Sequence, residues 1–388
     1  MNYSVPLMQN AFFDEKQTKI KLSKFIINKK RLSMDTYCIK FEERFAKFHN
    51  SKYAVFFNSG SSSNLAILQT LINLKKVKVG DGIAFSSLTW ATNVMPIIQL
   101  GFKPIPIDIN KENLNIKEDV IYNLKNCKVL FVTNALGFCS DLEIIKKICK
   151  KKKIILLEDN AEALGTINTK NKLTGSYGEM SSFSFFVAHH MSTIEGGMVI
   201  TNDFKQYEML KMVRSNGWDR QLSLKTQKSL QKKYNTDTFY SKYTFYSLAY
   251  NLRPTEINAF VGLEQLKKLK KNLLLRNKIF FKIYKSYLKN QNLVSLSFRK
   301  IKFFSPFSFP VICKTKVYKD KLLKKFIKKK VECRPMIAGN ITFQPFYKNI
   351  YNKKNLPNCE FVHKNGFYFG IHPEMTNKQI NLLKKLFL

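Results

Sequence analysis

The feature that most constrains the fold is an alternation along the chain: short apolar runs end on small or polar residues, and helical patterns follow them. Tyr53-Ala54-Val55-Phe56-Phe57 reads as a buried strand, Asn58 to Ser63 as a turn, and Asn64 to Leu74 as a helix. Val129 to Val132 reads as a second strand, after which Asp141 can cap a helix with Ile144, Ile145 and Ile148 on one face. Ile154 to Leu157 is a third strand and ends on Glu158-Asp159; Ser182 to Phe186 and Met198 to Thr201 flank an unusual polar segment. Strands separated by helices predict an α/β fold with a mostly parallel sheet, because parallel neighbours need a crossover between them. Leu263, Leu266, Leu269 and Leu273 mark a long helix. It is expected to bridge from a large domain, residues 1–262, to a smaller C-terminal α/β domain, residues 263–388.

Composition narrows the function classes. The chain has 388 residues, 45% of them hydrophobic, which excludes general disorder. No apolar run reaches the roughly 18 residues of a membrane span. Met1 to Leu22 lacks the apolar core of a signal peptide, so a soluble, cytoplasmic protein is expected. The cysteines at 38, 127, 139, 149, 313, 333 and 359 stand singly, so no C-x-x-C pair is available for a metal, and reduced thiols are the simplest reading. A formal net charge of +39 admits nucleic-acid binding. The lysines are spread along the whole chain, however, and Asn, Ile and Phe are also abundant, as in the coding bias of an AT-rich genome. Runs such as Lys151-Lys152-Lys153 and Lys328-Lys329-Lys330 follow apolar helical patterns, where they suit a helix C-terminus. Neither nucleic acid nor membrane is therefore expected as a partner, although the charge can draw anionic metabolites toward a cleft.

Ligands of open parallel sheets sit beyond the C-terminal strand ends. Three polar features fall there. Ser59-Gly60-Ser61-Ser62 joins a strand to a helix; it is either a plain helix cap or a cradle of N–H groups and hydroxyls for a phosphate. Asp159 ends a strand and either caps the next segment or holds a heterocyclic nitrogen protonated. The third is the stretch from Phe183 through His189-His190 to Glu195-Gly196-Gly197. It is a poor metal site, since adjacent histidines point apart and no Cys or Asp completes a set.

Together with Leu88-Thr89-Trp90-Ala91-Thr92, Glu158-Asp159-Asn160-Ala161-Glu162-Ala163-Leu164-Gly165 and Tyr250-Asn251-Leu252-Arg253, these segments resemble the DegT/DnrJ/EryC1/StrS sugar aminotransferase family. The resemblance covers nearly the whole chain. It implies the aspartate-aminotransferase type of fold and a pyridoxal or pyridoxamine 5′-phosphate cofactor. It implies Gly60, Ser61, Ser62 and Ser184 as phosphate ligands, and Trp90 over the pyridine face, where ordinary core is the alternative. It further implies Asp159 on the ring nitrogen and Glu162 near the ring hydroxyl. Asn251 would reach the phosphate of a neighbouring subunit, so a homodimer is implied.

One departure matters most. Family members carry a lysine six residues before the Glu of Glu195-Gly196-Gly197, and here that place holds His189. Imidazole cannot form the imine that lysine makes with an aldehyde cofactor. It can move protons, with a reference pKa of about 6.5. The swap resembles the family's 3-dehydratase branch. One subgroup acts on CDP-linked sugars and holds an iron–sulfur cluster through a cysteine-rich insertion; the other acts on GDP-linked 4-keto-6-deoxymannose without a cluster. The corresponding region here, Ser215 to Arg220, has no cysteine, so the cluster-free subgroup is implied. The expected substrates are then a GDP-linked 4-keto-6-deoxy hexose and glutamate, with His189 catalytic, Arg334 and Asn340 as candidate substrate contacts, and no metal. An aminotransferase working without lysine, and an inactive nucleotide-sugar-binding homologue, are the alternatives.

Overall fold

The computed structural model describes residues 3–352 and 354–388. Its largest sheet contains β1 (Tyr53–Phe57), β2 (Gly82–Ser86), β3 (Lys103–Ile107), β4 (Cys127–Thr133) and β5 (Ile155–Asp159). A short strand β6 (Ile167–Asn168) lies outside that sheet, which is completed by β7 (Met180–Ser184) and β8 (Gly197–Thr201). The order is β1-β8-β7-β5-β4-β2-β3. β8 runs antiparallel to β1 and β7, and the four remaining pairings are parallel. Burial explains the apolar runs. Along β4, Val129 and Phe131 pack into one core cluster while Leu130 and Val132 pack into another, so both faces of the strand are covered.

Beyond this sheet, β9 (Ile301–Phe303) pairs with β6, and β10 (Ser308–Ile312), β11 (Cys333–Pro335) and β12 (Gly366–Gly370) form a three-stranded antiparallel sheet in the order β10-β12-β11. Phe309 and Phe369 face each other across it with rings stacked at 5.0 Å. The leucine spacing belongs to a helix of 32 residues, Glu256–Tyr287. It runs unbroken through 262 and 263. Leu269 and Leu273 pack with Phe41 and Phe56 of the large unit, whereas Phe280, Ile283 and Tyr284 pack with Phe309 and Phe369 of the small one.

Two local expectations are corrected. The first helix after β1 spans Gly60–Asn73 and starts four residues before the expected Asn64, because Ser59 accepts the Ser62 N–H and caps it. In the helix Leu142–Lys152, Ile145 and Ile148 are buried but Ile144 is 41% exposed. Asp141 caps that helix through the Ile144 N–H, which places Ile144 in the first turn on the solvent side. Among the described residues no helix is long and apolar enough to cross a membrane.

Candidate active site

A cavity of about 410 Å³ opens where β4, β5 and β7 end. One rung of the sheet supplies its floor: Thr133, Asp159 and Ser182 are register partners on three parallel strands, and all three line the cavity. Strand alternation sends the preceding Glu158 elsewhere; its carboxylate accepts the N–H groups of Gly175, Tyr177 and Gly178. Asp159 faces the cavity and does two things at once. Oδ1 accepts the Ala161 N–H at 2.9 Å, as a turn cap does, and Oδ2 accepts from Asn64 Nδ2 at 2.9 Å. Burial pushes its carboxyl above the usual carboxylate range. Glu162, whose Oε2 accepts the Leu136 N–H at 2.8 Å, is pushed up to about 8 by burial and by the nearby Asp159 charge.

The start of the Gly60 helix forms one end. Ser59, Gly60 and Ser61 line the cavity together with Ser184. A Cβ on Gly60 would stand 2.6 Å from Ser184 Cβ, so glycine lets the helix start approach the end of β7. Ser62 is not among the lining residues. Its N–H goes to Ser59 Oγ at 3.0 Å and its hydroxyl donates to Asn58 Oδ1 at 2.6 Å. Without a ligand, both groups that a phosphate at Ser62 would draw on are engaged in the helix cap.

His189 lines the cavity between Phe186 and Phe307, with ring centroids 6.4 and 5.0 Å away. Burial chiefly, and then the Arg276 guanidinium, lower its pKa to about 4 against the opposing pull of the Ala161 carbonyl. Both effects favour the neutral imidazole at physiological pH. His190 turns away, fully buried, with Nε2 3.2 Å from the Ser305 carbonyl oxygen. Trp90 is 56% exposed on the cavity wall and is not core.

Three more anticipated residues lie outside the lining. Asn251 is exposed, and its Oδ1 accepts from Arg253 Nε at 3.0 Å. Arg334 pairs with Glu332 at 2.6 Å and stands opposite the cavity-lining Tyr368 on β12. Asn340 is fully buried, and its Oδ1 caps a short turn through the Thr342 N–H and hydroxyl. Sequence reasoning missed Asn64, which the corrected helix start puts four residues after Gly60 on the same face. It also missed Leu7, Phe307, Tyr368 and Ile371, which reach the cavity from segments distant in the chain. Although the chain holds 66 Lys and Arg, no lysine or arginine lines the cavity among the described residues.

The model of the DegT/DnrJ/EryC1/StrS aminotransferase family matches residues 14–386. The chain is 33% identical to GDP-4-keto-6-deoxy-D-mannose 3-dehydratase of Escherichia coli O55:H7, over 100% of this chain and 99% of that protein. Its fold superposes on the E. coli GDP-4-keto-6-deoxy-D-mannose-3-dehydratase with bound hydrated pyridoxal phosphate at a TM-score of 0.90, with 29% identity and full coverage of both chains. A structure of GDP-4-keto-6-deoxymannose-3-dehydratase with a trapped pyridoxal phosphate–glutamate geminal diamine matches at the same TM-score, 30% identity and full coverage of both.

Proposed function

The chain belongs to the DegT/DnrJ/EryC1/StrS aminotransferase family, and we propose that within it the protein removes the 3-hydroxyl of a GDP-linked 4-keto-6-deoxy hexose. The observation that carries this reading is the base: a neutral imidazole, His189, stands in a cofactor cavity that no lysine lines among the described residues. The residues present fit pyridoxal or pyridoxamine phosphate. A buried carboxylate, Asp159, suits a protonated ring nitrogen, the helix N-terminus at Ser59 to Ser61 suits a phosphate, and Trp90 leaves an indole face free. Pyridoxamine phosphate, when bound, supplies an amine for the keto carbon and a ring that takes up the electron pair left by proton removal.

The chain's own residues do the rest. Asp159 holds the ring-nitrogen proton; a cation against it reverses the upward shift that burial imposes. His189 takes the proton from the carbon bearing the amine and delivers it to the oxygen leaving sugar carbon 3. A lowered pKa keeps the ring free to accept at neutrality, makes it a weaker base toward the carbon-bound proton and, once charged, a stronger acid toward the leaving oxygen. The sugar loses one oxygen as water, a two-electron reduction; with pyridoxamine phosphate bound, its amine would supply those electrons and leave as ammonia, and glutamate, itself converted to 2-oxoglutarate, would restore it.

Three further points belong to this reading. Asn251 is exposed and lies outside its own subunit's cavity, which supports a homodimer in which it reaches the cofactor phosphate of the neighbouring subunit. The exposed Phe239, Tyr240, Tyr243, Phe245 and Leu248 near that residue offer an apolar surface for such a contact. Arg334, beside the mouth, is the better substrate contact of the two anticipated, since Asn340 Oδ1 is spent on its cap. Two domains divided at 262/263 within the long helix, and a reducing, cytoplasmic setting for seven free cysteines, complete it.

The test supplies glutamate, cofactor and GDP-4-keto-6-deoxymannose. A sugar one oxygen lighter with equivalent ammonia is expected. An amino sugar without ammonia would make the protein a transaminase and overturn the proposal.

A further inference from the structure

The long helix carries one side chain that this chemistry leaves unused. Arg276 is 5% exposed. Its Nη1 donates to the carbonyls of Phe307 at 3.2 Å and Ile371 at 2.7 Å, and Nη2 reaches the His189 carbonyl at 3.5 Å. Nε donates to Asn272 Oδ1 at 3.0 Å, and Asn272 in turn donates to the His190 carbonyl at 2.6 Å. His189, Phe307 and Ile371 all line the cavity. One guanidinium thus ties the histidine turn of the large sheet to two walls from the small one.

Its charge is uncompensated. Among the described residues no carboxylate pairs with it, and burial alone moves its pKa, down to about 10. The other buried arginine among them, Arg214, is paired with Glu42. A buried unpaired charge is costly, and a neutral donor would tether the same carbonyls without that cost. The geometry points to Arg276 as a positioning residue for His189, one that fixes the histidine turn and, through its unpaired charge, governs the proton traffic of the imidazole. This rests on His189 being the base.

The groups around His189 make the charge matter. Asp159, Glu162 and Glu195 share the main cavity with it, and His190, Arg276, His372 and Glu374 share the cleft behind. Of these, Arg276 acts on His189, His190 and His372 alike, disfavouring a proton on each. An imidazolium formed beside that cation is driven to pass its proton on.

The experiment compares wild type with Arg276→Met, which removes the charge at similar length, and Arg276→Lys, which keeps it without the planar fork. The five histidines of the full-length protein are followed by NMR titration, with and without pyridoxamine phosphate, and His189 is assigned from His189→Asn. In Arg276→Met the His189 titration is expected to rise by roughly one pH unit, carrying the acid limb of kcat with it. The same variant should lose roughly tenfold or more in kcat with little change in KM for the sugar. Arg276→Lys should titrate near wild type while losing part of kcat. An unmoved titration in Arg276→Met, or equal kcat losses in both variants with an unchanged acid limb, would reduce Arg276 to a structural tether and overturn the inference. Arg276→Gln replaces the Met variant if that chain is insoluble. A wild-type His189 that titrates near 6.5 overturns it without any variant. Turnover by His189→Asn would instead remove the base reading and leave the titration result standing.

Discussion

At the scale of single residues, the site separates two carboxylates one turn apart by what each must do. Asp159 is hydrogen-bonded at both oxygens, and Glu162 accepts one backbone N–H. The less satisfied group is pushed up to about 8, so it is a neutral hydrogen-bonding carboxyl near neutrality while Asp159 is the one left to answer a cation. Asp159→Asn keeps the Asn64 and turn contacts in part but removes the charge. Turnover should fall by roughly a hundred- to a thousandfold, comparable to removing an electrostatic partner in other enzymes, while the urea midpoint moves little. Near wild-type turnover in that variant would show the electron-sink role to be misplaced. His189→Lys tests the neighbouring position. It puts an amine where the chain has none, so absorbance of a covalent cofactor adduct and borohydride sensitivity should appear, both lacking in wild type. Dehydration should fall, since a lysine bound to the cofactor competes with free pyridoxamine phosphate. Dehydration at the wild-type rate in that variant would remove His189 from the mechanism.

Elements place these groups by approach. The Gly60 helix begins where β1 ends, and its first turn lies against the end of β7 because position 60 has no Cβ. Gly60→Ala forces the new methyl into Ser184 at 2.6 Å, a contact with a short side chain and its own backbone. Overpacking of this kind costs about 1–3 kcal/mol. The strain falls on the phosphate end, so cofactor affinity should drop by roughly tenfold or more, read from absorbance titration. The double variant with Ser184→Gly should recover folding stability but not affinity, because the Ser184 hydroxyl is lost with the clash. Unchanged affinity in Gly60→Ala would mean that the helix start does not hold the phosphate.

At the scale of the whole molecule, two outcomes follow from how the chain closes on itself. Among the five histidines, His49, His189, His190 and His372 have pKa values depressed chiefly by burial, with His49 at about 3 and His189 and His372 at about 4. The unfolded chain takes up those protons as pH falls below about 6.5, and the folded chain does not. Stability is therefore full above that value and is lost on acidification through it, by about 1.4 kcal/mol per pH unit for each excess proton on the unfolded state. Glu162 opposes this, since its folded carboxyl keeps a proton in the same window; Glu158, Asp159 and Asp219 are shifted in the same direction. The histidines should prevail between pH 6.5 and 4.5, and the urea midpoint of cofactor-free protein should fall there. A midpoint that is flat or rises on acidification would contradict these burials. The second outcome concerns the homodimer. Co-expressed His189→Asn and Asn251→Ala chains, each inactive alone, should regain activity together, because one site of the mixed dimer then holds an intact His189 and a partner's Asn251. No recovery would place Asn251 in its own subunit's chemistry.

Much of this was legible in the residues themselves. Apolar runs fixed the strands because a parallel sheet is buried on both faces, and the Ser-Gly turn, Asp159 and the His189 position all lie within short segments whose spacing is local. Local spacing could not decide which way Ser62 faces, since a cap and a phosphate cradle draw on the same N–H and hydroxyl groups. Nor could it show that Leu7, Phe307, Tyr368 and Ile371 close the cavity, or that Arg276 lies behind His189 with no carboxylate paired to it among the described residues. Those contacts join residues separated by dozens to hundreds of positions. Their energies depend on desolvation and on distances that exist only once the two sheets and the long helix have packed.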